Sequence, residues 1–305
     1  MIKPSKLAHF CNDHDNKYFS VYNLDDKVAK NFEVPYETTY LFDSIQINDQ
    51  IFFTGGGMPA TGAKHEQFFT TAIKVLICME DGDFNPTKLA EMNIARANHT
   101  LAALNDELLY VVGGWNSEGE ISACEEYQVA KNQWTVCASL NEPKMWITIC
   151  PVNRRYLYAF GGSANLKPKE LGTIECFDTN NKTVKKWTKI VLSSGEDIWP
   201  HCIFMAGIQL EENTVMLFGG LQSGQKLEST FYFNPGTKTM VKGPDLKKKD
   251  AFYRSKPGIN GNEVMIVGST EGDLHIYDIA KKSWNMMLKA TWNSEQSSIL
   301  KSETY

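Results

Sequence analysis

Short runs of apolar residues, each closing on a pair of glycines, recur along the chain. They read IFFTGG (Ile51 to Gly56), LYVVGG (Leu109 to Gly114), LYAFGG (Leu157 to Gly162) and VMLFGG (Val215 to Gly220). A fifth, VMIVGS (Val264 to Ser269), carries serine in the second glycine place. Those second places are separated by 58, 48, 58 and 49 residues, a base period with two longer spacings. Short apolar runs bounded by turn signals predict buried strands, and no stretch offers a sustained helical period. Each copy continues alike: a loop, a strand bearing an aromatic or aliphatic residue, a polar turn and often a tryptophan. Tyr127 stands seven residues before Trp134 and Tyr277 seven before Trp284, while a three-residue insertion separates Phe177 from Trp187. Ile77 and Phe84 hold these places in the copy that begins at Ile51, and Tyr232 and Met240 in the copy that begins at Val215. The turns draw on Asp, Asn, Gly and Lys, which suit tight hairpins.

A repeat of this length built from short strands is the pattern of sheets arrayed about an axis. The glycine pairs then have a steric reason, because a side chain at the strand exit would collide with the next sheet. A tryptophan on the outer strand can fill the cleft between neighbouring sheets. The GG doublet, the downstream Tyr or Phe and the Trp resemble the kelch repeat, most closely from Leu101 to Trp134. The resemblance covers nearly the whole chain and implies an all-β fold, a β-propeller with one repeat per blade. Its departures are Ser269 for glycine, Met240 for tryptophan and a first repeat without glycines.

Five copies fill the chain from about Tyr40 to Leu288. Ahead of them, three strands are expected at Leu7 to Phe10, Tyr18 to Tyr22 and Val28 to Val34, with Cys11 and Asn12 in the glycine-pair place. This first blade lacks its innermost strand. The tail, ATWNSEQSSILKSETY, is similar to the start of other repeats such as KMWITICPV. The segment from about Gln296 to Lys301 is therefore expected to supply the missing strand, closing the ring and removing a sheet edge. The expectation is a six-bladed kelch-type β-propeller, ring closed by a C-terminal strand in blade one. It forms a single domain over residues 1–305, at about 51 residues per blade.

Composition narrows the setting. Hydrophobic residues at 42% and charged residues at 22% fit a folded chain rather than a disordered one. A net charge of −5 argues against a nucleic-acid partner, and Lys247 to Lys249, bracketed by Asp245 and Asp250, reads as a solvated loop. No long apolar run or signal-like opening points to a membrane. Seven scattered cysteines without a C-x-x-C pair suggest reduced thiols in the cytoplasm. Without a secretory signal, the glycosylation triplets at Asn98 and Asn181 read as chance.

Candidate chemistry is sparse. Cys11 and His14 have a two-ligand spacing on an expected turn, and His201 and Cys202 would point to opposite faces of a strand. Neither supplies the four ligands of a structural metal site. No nucleophile elbow is present, and Gly55 to Gly57 lacks the lysine of a phosphate loop. No cofactor, metal or catalytic residue is expected. The kelch family also includes enzymes similar to copper-radical galactose oxidase or sialic-acid mutarotase, and these stand as the alternative. The ligand set of the first cannot be assembled from matching positions here.

Loops carry specificity in a propeller. Those leading from each outer strand into the next inner strand are rich in aromatic and basic residues. The partner-binding candidates are Tyr40, Arg96, His99, Lys144, Trp146, Trp199, Tyr253 and Arg254. Phe42, His99, Ile147, Met205 and Arg254, aligned by distance to the following glycine pair, are expected to ring the axial opening. Trp, Tyr and Arg dominate binding energies at such surfaces. Arg96, Lys144 and Arg254 have least to gain from burial and are best suited to an acidic peptide, whereas a tryptophan can equally plug the gap between blades. Two longer loops, Met58 to Thr71 and Ser163 to Gly172, could reach a partner or be tolerated insertions. The resemblance implies a non-catalytic protein–protein interaction module, a subunit or adaptor of a larger cytoplasmic assembly, cytoskeletal or ciliary. Kelch domains often adjoin a BTB domain in ubiquitin-ligase adaptors, for which 305 residues are expected to leave no room.

Overall fold

Glycine pairs decide how closely one sheet can approach the next, and the computed structural model of the chain places four such pairs at strand exits. The structure describes residues 7–11, 18–23, 28–33, 41–48, 50–58, 67–76, 86–164, 169–170, 172–181, 183, 185–253, 255–269 and 272–287. The first sheet has three antiparallel strands, Leu7–Cys11, Tyr18–Asn23 and Val28–Glu33, within a residue of expectation. Five four-stranded sheets follow, each antiparallel and in chain order from the axis outwards. Their inner strands are Asp43–Ile47, Thr100–Ala103, Thr148–Val152, Ala206–Glu211 and Gly258–Asn260. Their outer strands are Pro86–Lys88, Gln133–Cys137, Trp187–Ile190, Thr239–Lys242 and Ser283–Met287. Among the described residues the one helical segment is a single 3-10 turn, Val129–Lys131.

Neighbouring inner strands lie side by side from the second blade to the fifth. Leu7–Cys11 lies against Asp43–Ile47 on one side and against Glu263–Val267 of the sixth blade on the other. The first sheet thus sits between the second and the last. Among the described residues Leu7–Cys11 is paired along one edge alone. The expected closing strand, Gln296 to Lys301, lies outside the described residues, as do Ile77 and Phe84.

Gly113 and Gly114 show what the glycine pair does. Their φ values are +62° and +103°, and a Cβ on Gly113 would collide with the Lys144 carbonyl of the next blade. Freed of side chains, the strand exit comes close enough for Gly114 N–H to donate to that carbonyl at 3.0 Å. The same bond runs from Gly56 to Arg96 at 2.8 Å, from Gly162 to Cys202 at 3.2 Å and from Gly220 to Asp250 at 2.9 Å.

Away from the axis, tryptophans fill the space between sheets. Trp134, Trp187 and Trp284 stand directly opposite Tyr127, Phe177 and Tyr277 on the adjoining strand. Trp134 packs with Phe52, Leu89 and Met92 of the second blade, and Trp284 lies 4.8 Å from the Phe218 ring of the fifth. Their indole N–H groups are satisfied by the Ala90 carbonyl at 2.9 Å and the Thr230 hydroxyl at 3.0 Å. Burial of such a side chain removes about 150–250 Å² from water. In the fifth blade one assignment is corrected: Met240 stands opposite Phe233, not Tyr232. Phe233 keeps the seven-residue spacing and faces inward, while Tyr232 turns to the other face, where its hydroxyl meets that of Tyr277.

Gly113→Ala would force a Cβ into the Lys144 carbonyl at a left-handed φ. It should destabilise the fold by about 2 kcal/mol, read as a lower urea midpoint. Deleting residues 291–305 should lower the melting temperature by at least about 5 °C. A truncated chain that melts with its parent would remove the closing strand from the architecture.

Candidate functional site

The loops entering the inner strands share one face with four two-stranded ribbons. Gly57–Met58 pairs with Gln67–Phe68, Trp115–Asn116 with Gly119–Glu120, Ser163–Ala164 with Lys169–Glu170, and Leu221–Gln222 with Gln225–Lys226. Bridges from Ala97 to Trp115, Met145 to Ser163 and Ile203 to Leu221 tie each entry loop to the ribbon of its own blade. The long loops after Gly57 and Gly162 are therefore extended versions of a device that blades two to five share.

Arg96 and Lys144 occupy equivalent places in the third and fourth blades, and neither faces solvent. Arg96 Nη2 lies 3.0 Å from Glu125 Oε1 with both side chains fully buried. Its Nη1 donates to the carbonyls of Gly113 at 2.9 Å and Ala123 at 2.7 Å. Glu125 Oε2 in turn accepts the backbone and side-chain N–H groups of Asn93, both at 2.7 Å. Lys144 repeats the pattern with Glu175 and the Thr173 hydroxyl, and Glu175 accepts the Asn141 N–H at 3.0 Å. Burial pushes the Arg96 guanidinium down, with Glu125 opposing it. Burial likewise pushes the Glu175 carboxyl up, but Lys144 and Asn141 outweigh it and hold the group below the ordinary carboxylate range.

The expectation that Arg96 and Lys144 reach an acidic peptide is thereby corrected. A buried carboxylate and nearby carbonyls offset the desolvation of each cation, which then serves as a staple inside its blade. His99 is buried as well, its Nε2 2.8 Å from the Thr54 hydroxyl. Trp199 is a blade plug, packed edge-on to Phe160 and Phe231 with its N–H donating to the Gly172 carbonyl at 3.0 Å. Tyr40 and Arg254 lie outside the described residues. Burial pushes the thiols of Cys124 and Cys176 up to about 11 and that of Cys150 up to about 12, so none is a ready nucleophile. His201 is exposed and Cys202 buried. Among the described residues no group of three or more His, Cys, Asp or Glu is placed to hold a metal.

Trp146 and Tyr253 are half-buried at the axial mouth, and Phe204 lies between them. The Trp146 and Phe204 rings are 5.2 Å apart, and Phe204 and Tyr253 4.8 Å. The Tyr253 hydroxyl donates to Asn98 Oδ1 at 2.6 Å, joining the third blade to the sixth. Beneath lies a cavity of about 60 Å³ bordered by Asp43, Thr100, Thr148, Ser255 and Lys256. The sequence alignment missed Asn98 and Phe204 because it placed the axial ring one residue later. Asn98, Trp146 and Phe204 adopt φ of +51°, +58° and +57°, which turns them toward the mouth and leaves His99, Ile147 and Met205 buried. Their common offset of 16 residues before the second glycine was readable in the sequence. No local signal marks Asp43 and Lys256.

Antiparallel sheets around an axis, four of them pinned to the next by a glycine pair, define a β-propeller of the kelch class. The KLHDC2/KLHL20/DRC7 Kelch-repeats domain matches residues 98–298, and the chain belongs to that family. Alpha-scruin of Limulus polyphemus is 40% identical over 106 residues, 32% of this chain and 11% of its own length. Beta-scruin from the same organism is 31% identical over 98 residues, 30% of this chain and 10% of its own length. Kelch-like protein 35 of Mus musculus is 23% identical over 248 residues, 70% of this chain and 41% of its length. The chain thus spans about a tenth of the scruins and less than half of Kelch-like protein 35. The solved structure of YjhT superposes with a TM-score of 0.72 at 12% identity, covering 93% of this chain and 95% of that one, a likeness of fold.

The staple has a measurable weight. Glu125→Gln leaves a buried guanidinium without its counter-charge and should destabilise the fold by about 3 kcal/mol, measured by chemical denaturation. Arg155→Ala, which breaks the exposed pair with Asp178, should shift the midpoint far less.

Proposed function

We propose that this chain is a non-catalytic protein-binding module, one domain over residues 1–305, that holds a partner segment across its loop-bearing face. The observation that carries this reading is the convergence of three half-buried aromatic rings, Trp146, Phe204 and Tyr253, from three blades on one mouth. Aromatic anchors at the centre of a concave surface are the side chains that dominate binding energies. Of the other large residues expected there, Arg96 and Lys144 are committed to the scaffold by ion pairs and Trp199 by packing. A preference for acidic peptides loses two of its three expected cations, so the aromatic mouth rather than cationic charge is the centre of the surface.

Membership of the kelch-repeat family supports a protein-interaction role in a larger cytoplasmic assembly. The stretches similar to the two scruins favour a cytoskeletal placement over a ciliary one. An enzyme of the kelch class, the alternative reading, would place its chemistry in the axial cavity.

The test is affinity purification of the full chain from its source cell beside a Trp146→Ala, Tyr253→Ala double variant with an unchanged melting curve. Partner recovery should fall at least about tenfold, as loss of a central aromatic anchor does. Equal recovery would move the binding surface elsewhere.

A further inference from the structure

Several polar groups lining the axial cavity can only accept a further hydrogen bond. The Thr100 hydroxyl gives its proton to the Ile147 carbonyl at 2.7 Å, and the Thr148 hydroxyl gives its own to Met205 at 2.8 Å. Each leaves only oxygen lone pairs for a guest. The Asp43 carboxyl, its side chain 3% exposed, is oriented by the N–H groups of Ser44 at 2.8 Å and Leu101 at 2.7 Å.

A cationic donor already occupies this place. The Lys256 ammonium sits 2.7 Å from Asp43 Oδ2 and is the one Lys or Arg among the described residues lining the cavity. Lys256 is 24% exposed, so its head can swing into solvent while Asp43 stays below. Above stand Trp146, Phe204 and Tyr253, whose π systems favour a passing cation. The chain's net charge of −5 adds attraction at long range.

We propose that the axial cavity is the receptor for a lysine or arginine side chain of the partner segment. That side chain enters between Trp146, Phe204 and Tyr253 and replaces the Lys256 ammonium on Asp43. The inference rests on the loop-bearing face being the protein-binding face, and it names the chemistry of the residue inserted there. A glutamate or aspartate would meet the Asp43 carboxylate and the acceptor oxygens of Thr100 and Thr148. The cavity's 60 Å³ suits one side-chain head.

The experiment is calorimetric titration of the full chain with N-acetyl-lysine N-methylamide and with N-acetyl-glutamate N-methylamide, at low ionic strength. The lysine probe should bind and the glutamate probe should not. Lys256→Met removes the internal competitor and should tighten the lysine probe about tenfold, the weight of one hydrogen bond to a charged group. Asp43→Asn should abolish its binding. Preference for the glutamate probe, no heat from the lysine probe, or an unchanged affinity in Lys256→Met would each overturn the proposal. If the aromatic mouth still captures a partner while the lysine probe stays silent, the cavity assignment alone falls. If the lysine probe binds but the double aromatic variant keeps its partner, the binding-face reading falls instead.

Discussion

One hydrogen bond governs how the sheets meet: a glycine N–H at a strand exit donating to the carbonyl of the next blade's entry loop. At Gly114 and Lys144 the two backbones come within 3.0 Å, an approach that a Cβ on Gly113 would block by colliding with the same Lys144 carbonyl. The bond sets the spacing of neighbouring inner strands and fixes the path of the loop that follows. Two residues past the pinned carbonyl, Asn98, Trp146 and Phe204 turn left-handed and project at the mouth. The position that holds the blades together thus also aims the side chains that could touch a partner.

The same pinned residues anchor the blades from inside. Arg96 and Lys144 present their carbonyls to the preceding blade and their side chains to a glutamate on the third strand of their own. In the sixth blade the polarity is reversed, with Asp250 on the loop and His275 Nε2 on the strand, 3.1 Å apart. In the fifth blade the loop position is Cys202 and the sheet relies on packing around Trp199. What the architecture requires here is a filled and satisfied space, not a particular charge order. Polar pairs in such a place must be complete, because an unmatched buried charge is far more costly than an apolar substitute.

Much of the fold was legible because its signals are local and repeated. Glycine pairs, strand lengths and the seven-residue interval from Tyr127 to Trp134 each depend on neighbours in the chain, and they recur often enough to exclude chance. The interval even corrects its own exception, since Phe233 and Met240 obey it where Tyr232 and Met240 do not. The site was harder to read. Alignment of the entry loops by distance to the following glycine pair puts His99, Ile147 and Met205 at the axis, but the left-handed residue just before each of them is the one that faces the mouth. Arg96 and Lys144 look like surface cations until their glutamates, 29 and 31 residues onward, fold back beside them.

The sixth blade shows how far that alignment extends. Asp250 takes the place of Arg96 and Lys144, because its carbonyl accepts the glycine N–H of the preceding blade. Two residues on, Phe252 donates its N–H to Phe204, as Trp146 does to Asn98 and Asn98 to Leu41. Phe252, however, does not share the left-handed φ and is buried, so its ring packs against Phe218 and His275. The mouth position passes to the next residue, Tyr253, whose hydroxyl then crosses to Asn98. Counting forward from the pinned carbonyl does not predict which aromatic faces outward, but counting back from the second glycine place does: Tyr253 stands 16 residues before Ser269, as Asn98, Trp146 and Phe204 stand 16 before Gly114, Gly162 and Gly220. In this blade that place holds a tyrosine able to bond across the axis where a phenylalanine would only have filled space.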